Sequence, residues 1–184
     1  MRGAIACIVI VAAALLRGAA LEVQPPQGQT EAFLTLSDEA QRAFGSQSWD
    51  TAAEKYHAMI ELARQWHEEL WEARGLLGLG SVSNARARYA EARPLVLESL
   101  STFERLEAWQ DVARAAMRLG GIAANLGETD EARRCFSDAI SAADRAGDVK
   151  ARAVAGYNLI RTEPAESDAS LAAVGKLFAE AQQL

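Results

Sequence analysis

The chain has 184 residues, which is enough for one domain with a substantial buried core. Half of the residues are hydrophobic, 24% are charged and only 7% are aromatic, a balance typical of globular proteins and not of disordered ones. Ala, Leu, Glu and Arg dominate, which favours helix. The formal net charge of −6 argues against general binding to nucleic acids or anionic membranes, although a local basic patch remains compatible with it.

The first twenty residues have the layout of a secretory signal peptide. Arg2 supplies a positive start, residues 4–16 form an apolar run, and residues 18–20 are small, as a cleavage site requires. The apolar run is too short to span a bilayer. Cleavage near Ala20 predicts export to the periplasm or the medium, whereas an uncleaved chain would be cytoplasmic. Residues 21–30 are predicted to be a polar linker, because Pro25-Pro26 blocks helix.

Cleavage would also change the charge and the cysteine content. It removes two arginines and no acids, so the mature chain would carry a net charge of about −8. Cys7 would be lost, and Cys135 would remain as a single cysteine. An intramolecular disulfide is then impossible, and stability must come from packing.

A period of forty residues organises the rest of the chain. Glu-Ala-Arg occurs at 91–93 and 131–133, and Leu-Gly at 79–80 and 119–120. One column at this spacing contains only alanine, at Ala52, Ala92, Ala132 and Ala172. Repeats of this length predict a solenoid. We place it at residues 31–184, with units of about 33–72, 73–112, 113–152 and 153–184.

Each unit is predicted to contain two helices. In the third unit, Gly127 is expected to end the first helix in a left-handed conformation, and Thr129 or Asp130 to cap the second. Gly147-Asp148 closes the unit. Small residues let the paired helices approach closely, and large ones fill the space beside them. The residues expected to pack the helices in this way are Gly80, Ala92, Gly120, Ala132, Phe136 and Ala139.

Leu119-Gly120, Gly127, Ala132, Phe136 and Ala139 together resemble the tetratricopeptide repeat (TPR), a helix-turn-helix unit. The forty-residue spacing is similar to the longer MalT-like class, found in bacterial regulators and kinesin light chains. The resemblance implies an all-α fold, a right-handed α-α superhelix of about four units. HEAT repeats, which have a similar length, are the alternative architecture.

The sequence predicts no catalytic residues, metal site or cofactor. His57 and His67 are ten residues apart, do not share a helix face, and are interpreted as helix-surface residues. Cys135 adjoins the predicted core and has no histidine placed to activate it. We therefore expect a protein that is not an enzyme.

The resemblance implies that the first helix of each unit lines a concave groove. The side chains placed there by helical spacing, or next to such positions, form a cationic, amide-rich strip suited to carboxylates and peptide groups. Paired, solvated arginines remain the alternative interpretation. The predicted groove residues are Arg74, Asn84, Arg114, Arg118, Asn125, Tyr157, Asn158 and Arg161.

Arg114 and Arg118 match two positions of the carboxylate clamp that some TPR proteins use to hold a chain terminus. The remaining positions depart from that clamp, because Gly78 stands where an asparagine is expected, and Ser37 and Gln41 replace a basic and amide pair.

The predicted function is a non-catalytic, exported protein-interaction module or scaffold. Its groove is expected to bind a partner protein or peptide with acidic or C-terminal carboxylate groups, and a terminal repeat could favour self-association. The alternative is a cytoplasmic regulatory or sensor array that acts with a separate effector chain. Neither interpretation includes a nucleic-acid partner or a membrane span.

Overall fold

The computed structural model describes residues 27–162, and this part of the chain is entirely α-helical. The chain divides into two units between Ala32 and Phe33, and the contacts given below lie within the second unit. The helices of the described range are α1 (Gln27–Gly45), α2 (Trp49–Trp66), α3 (Glu69–Ala85), α4 (Tyr89–Arg105), α5 (Trp109–Asn125), α6 (Thr129–Ala146) and α7 (Val149–Arg161).

The helices stack in chain order. From α2 to α7, each helix packs against the next, and α3 and α5, like α5 and α7, also touch side by side. We call α1, α3, α5 and α7 the inner helices, because they carry most of the groove described below. Sequential helix pairs that contact only their neighbours form an α-α solenoid. The predicted all-α solenoid class is confirmed.

The forty-residue period is visible in the helix boundaries. The inner helices α1, α3 and α5 end at Gly45, Ala85 and Asn125, which are forty residues apart. Helices α2, α4 and α6 begin at Trp49, Tyr89 and Thr129 with the same spacing. The helix pairs start about four residues before the unit boundaries drawn from the sequence, and α1 starts within the predicted linker 21–30. Gln27–Thr30 contains no proline that would prevent helix there.

Every connection between two described helices contains one residue in the left-handed region. These residues recur every twenty positions along the chain: Gln47, His67, Ala87, Glu107, Gly127 and Gly147, with φ between 53° and 75°. The prediction for Gly127 is confirmed. Only two of the six are glycines, so at four connections a residue with a Cβ adopts a conformation that L-residues disfavour.

Replacing Ala87 by glycine is expected to raise the free energy of unfolding by about 0.5–1 kcal/mol, because relief of the left-handed strain outweighs the added freedom of the unfolded chain. Urea unfolding monitored by circular dichroism measures this change. The matched control is Ala90→Gly three residues later, in the first turn of α4, which should be destabilising by up to about 1 kcal/mol. A destabilised Ala87→Gly variant would contradict the left-handed connection.

The start of α6 differs from the sequence prediction. The residue before its first turn is Glu128, whose side chain makes no capping hydrogen bond, while Thr129 and Asp130 already lie inside the helix. The backbone N–H of Glu128 donates to Ala123 O. Because of this tight left-handed connection, the helix starts one residue earlier than predicted. Asp148 does cap α7, because its side chain accepts from the backbone N–H of Ala151 at 2.9 Å.

Close helix contacts occur where one helix has a glycine and its neighbour a large side chain. A Cβ at Gly120 would lie 2.6 Å from the Phe136 ring, and one at Gly80 would lie 2.5 Å from a Val96 methyl group. Six packing residues predicted from the sequence are buried: Gly80, Ala92, Gly120, Ala132, Phe136 and Ala139. Small residues therefore bring α3 onto α4 and α5 onto α6, and the large partner fills the interface.

Two predictions fall outside the described residues. The signal peptide at 1–20 and most of the linker precede Gln27, and the last predicted helix of the fourth unit follows Thr162. Within residues 27–162, no helix combines the length and the apolar character needed to cross a membrane.

Candidate functional site: an arginine-rich groove on the inner helices

A groove of about 880 Å³ runs along the inner helices. Most of its lining comes from α1, α3, α5 and α7, and the large side chains of α2 and α6 complete its floor. The lining residues are Ser37, Gln41, Phe44, Gly45, Tyr56, Met59, Arg74, Leu77, Gly78, Ser81, Asp111, Arg114, Met117, Arg118, Gly121, Ala124, Asn125, Phe136, Val154, Asn158, Arg161 and Thr162. Four arginines and one aspartate make its charge about +3, although the whole chain is acidic.

The repeat period arranges the lining in rows that cross the inner helices. Gly78, Arg118 and Asn158 occupy equivalent positions on α3, α5 and α7, and Arg74, Arg114 and Val154 form a neighbouring row. Members of the two rows are four residues apart on each helix, so they lie on the same helix face. The groove is therefore a repeated surface in which the side chain at each position changes from one unit to the next.

Asp111 is a buried carboxylate that pairs with both arginines of the row formed by Arg74, Arg114 and Val154. Its side chain is only 4% exposed, and it lies in the first turn of α5. Arg74 of α3 donates to Asp111 Oδ2 through both Nε at 3.0 Å and Nη2 at 2.8 Å. Arg114, one turn further along α5, donates to Asp111 Oδ1 at 3.3 Å. One carboxylate thus neutralises part of the charge of two arginines and joins two consecutive units.

Arg74 also belongs to an aromatic stack. Its guanidinium lies 4.7 Å from the centre of the Trp71 ring, and that ring is stacked on Phe33 with centroids 5.0 Å apart. A cation over an indole face is attracted by the ring quadrupole. Arg74 is therefore held from both sides, by Trp71 and by Asp111.

Arg118 differs from Arg74 and Arg114. No ion pair or hydrogen bond joins its guanidinium to another residue between 27 and 162. The side chain reaches solvent through the open groove, yet the surrounding walls remove part of its water, which lowers the pKa of Arg118 from its ordinary value. A cation that has lost some water without gaining a carboxylate can be stabilised by an anionic ligand.

The Tyr56 ring is packed against the backbone of Gly78. Any Cβ at position 78 would overlap the ring, so glycine there lets the tyrosine enter the groove wall. Burial raises the pKa of the Tyr56 phenol, and the charge of Arg118 opposes that rise. The phenol and the guanidinium thus act on each other within the groove, and the hydroxyl hydrogen-bonds to no residue of the described range.

Six of the eight groove residues predicted from the sequence line this groove: Arg74, Arg114, Arg118, Asn125, Asn158 and Arg161. Asn84 and Tyr157 do not. Each was included as the neighbour of an aligned position, and one residue turns the side chain by about 100° around the helix. The Asn84 side-chain oxygen is buried without a hydrogen-bond partner in the described part of the chain, and Tyr157 lies under the Arg161 guanidinium at 5.7 Å.

Sequence reasoning missed the aspartate and the apolar part of the lining. Asp111 precedes Arg114 by three residues, a spacing that could have indicated their ion pair. Its contact with Arg74 spans 37 residues and carried no local signal. The predicted groove also lacks the apolar lining side chains Phe44, Met59, Leu77 and Met117, because only polar and charged side chains were sought there.

The histidines and the cysteine do not join the groove. His57 is exposed on α2, as expected, whereas His67 occupies a left-handed connection and not a helix surface. Cys135 is buried, and burial together with nearby Glu131 raises the pKa of its thiol to about 11, which leaves little thiolate near neutral pH. Residues 27–162 contain no cluster of three or more His, Cys, Asp or Glu side chains suited to a metal ion.

These features define the protein as an α-α solenoid with a cationic inner groove. No family model matches the sequence, and no curated protein matches it. Among solved structures, the chain is similar to BtubC (BKLC) from P. vanneervenii, with a TM-score of 0.69 and 20% sequence identity. The match covers 94% of this chain and 72% of BtubC. At this identity the likeness shows the fold alone.

Proposed function

We propose that this chain is a non-catalytic protein-interaction module whose groove holds an extended segment of a partner protein. The observation that carries the proposal is the groove itself, which is lined from all four inner helices and has a charge of about +3 in an acidic chain. Guanidinium and amide groups can bond side-chain carboxylates and peptide groups. Leu77, Met117 and Phe44 provide apolar contacts beside them.

The proposal extends to the repeat class and to the location of the protein. A tetratricopeptide-like identity is supported by the forty-residue spacing of the helix boundaries and by the contact of Gly120 with Phe136. Export is supported only by the sequence of residues 1–20. N-terminal sequencing of the native protein tests export, since a mature terminus near Leu21 supports it. A retained Met1 in the cytosol would instead support the regulatory array.

Site-specific photo-crosslinking in host cells tests the binding role. A photoreactive amino acid replaces Gln41, which is exposed in the groove, or Ser137, which is exposed on α6 outside it. We expect a defined covalent adduct from position 41 and none from position 137. Equal adducts from both positions, or no adduct from position 41, would contradict a groove-bound partner.

A further inference from the structure

We infer that the groove contains one carboxylate-binding subsite, formed by the Arg118 guanidinium and the Tyr56 hydroxyl, and that it receives an internal Asp or Glu side chain of the bound segment. This inference rests on the proposed function and specifies the partner's chemistry. It also separates the groove arginines by role. Arg118 recognises the ligand's charge, whereas Arg74 and Arg114 belong to the wall.

The separation follows from the distribution of hydrogen bonds. Asp111 already accepts hydrogen bonds from Nε and Nη2 of Arg74 and one from Nη1 of Arg114. A ligand carboxylate beside these arginines would meet the negative charge of Asp111, which repels it. Arg118, four residues beyond Arg114, has no acidic partner among residues 27–162. Within this described range, no acidic side chain competes with a ligand for the charge of Arg118.

The position of Tyr56 supplies a second donor. Its ring lies over Gly78, and Gly78 is the repeat equivalent of Arg118 on the adjacent inner helix. Helices α3 and α5 touch side by side, and both Tyr56 and Arg118 line the groove, where the charge of Arg118 acts on the phenol. Asn158 continues the row of Gly78 and Arg118 on α7. A carboxylate at Arg118 can accept two bonds from the guanidinium and one from the hydroxyl.

The placement favours an internal side chain over a chain terminus. Arg118 lies on the third of four inner helices, and lining residues continue on both sides of it, on α3 and on α7. A bound segment can therefore extend in both directions from the subsite. A terminal carboxylate clamp would need several uncommitted cations around one point, and Asp111 engages two of the arginines that would form it.

The test is selection from a random nonapeptide library, prepared in one form with an amidated C-terminus and in another with a free carboxylate. We expect wild-type protein to enrich Asp or Glu at one internal position in both forms. Arg118→Gln should abolish this enrichment and weaken the best acidic peptide about tenfold, the effect of losing one charged pair. Tyr56→Phe should weaken it less, because it removes one hydroxyl and retains the ring.

The controls separate the possible failures. Arg88→Gln makes the same charge change at an exposed residue outside the groove and should bind like wild type. Arg114→Gln should weaken the acidic peptide less than Arg118→Gln does. Acidic enrichment that persists in Arg118→Gln, or that requires a free C-terminus, would overturn the subsite while leaving the peptide-binding function intact. A wild-type protein that enriches no peptide would overturn the proposed function and the subsite together.

Discussion

Phe136→Ala is expected to lower the free energy of unfolding by about 3–5 kcal/mol. The ring is only 4% exposed and fills the space beside Gly120, where a Cβ would lie 2.6 Å from it. Its truncation leaves a cavity between α5 and α6 that backbone relaxation cannot close, because both helices are held by further neighbours on either side. Urea unfolding at constant protein concentration measures the loss.

A double-mutant cycle makes this prediction sharper. Gly120→Leu alone should overpack the same contact and cost about 1–3 kcal/mol. In the Phe136→Ala background the added leucine can enter the vacated space, so the two losses should not add. Additive losses would show that Gly120 and Phe136 do not share one packing site.

Arg74→Gln is expected to lower the free energy of unfolding by about 2–4 kcal/mol, since it leaves the buried Asp111 carboxylate with a single, longer ion pair. The value is below that of a fully buried pair, because the Arg74 side chain is 33% exposed. The same substitution also removes the cation from the Trp71 ring. Thermal and urea unfolding give the size of the effect.

The groove provides two matched controls for this prediction, because three of its arginines can receive the same change. Arg114→Gln should cost less than about 1 kcal/mol, since that side chain is 54% exposed and its bond to Asp111 is long. Arg118→Gln should be neutral or slightly stabilising, because no carboxylate between residues 27 and 162 depends on it. Similar losses in all three variants would contradict the central role of Asp111.

The repeat architecture was accessible from the sequence because it depends on periodic spacing. Gly120, Ala132 and Phe136 have counterparts forty residues away, and this recurrence predicts paired helices before any contact is known. The six predicted residues that line the groove follow from the same periodicity. Asn84 and Tyr157 lie outside the lining and mark the limit of this approach, because helical spacing distinguishes adjacent residues only when the rotation of the helix is known.

The charge distribution within the groove could not be predicted from the periodic spacing of the sequence. Whether an arginine is free or paired depends on contacts such as that between Arg74 and Asp111, which join different units. The left-handed residues at the helix connections were also hidden. A left-handed conformation can be predicted at Gly127, because glycine lacks a Cβ and adopts it readily. Gln47, Ala87 and Glu107 are residue types that do not indicate this conformation.

The regular recurrence of left-handed residues has a consequence for how the array can change in length. All six described connections share this backbone feature, whether they join helices within a unit or between units. Removing residues 88–127 would bring Ala87 directly before Glu128 and rebuild a connection of the existing type. Duplication of the same block would lengthen the groove by one inner helix without requiring a new turn. Arrays that differ by whole forty-residue blocks would therefore keep the same type of connection, while their grooves differ in length by one inner helix per block.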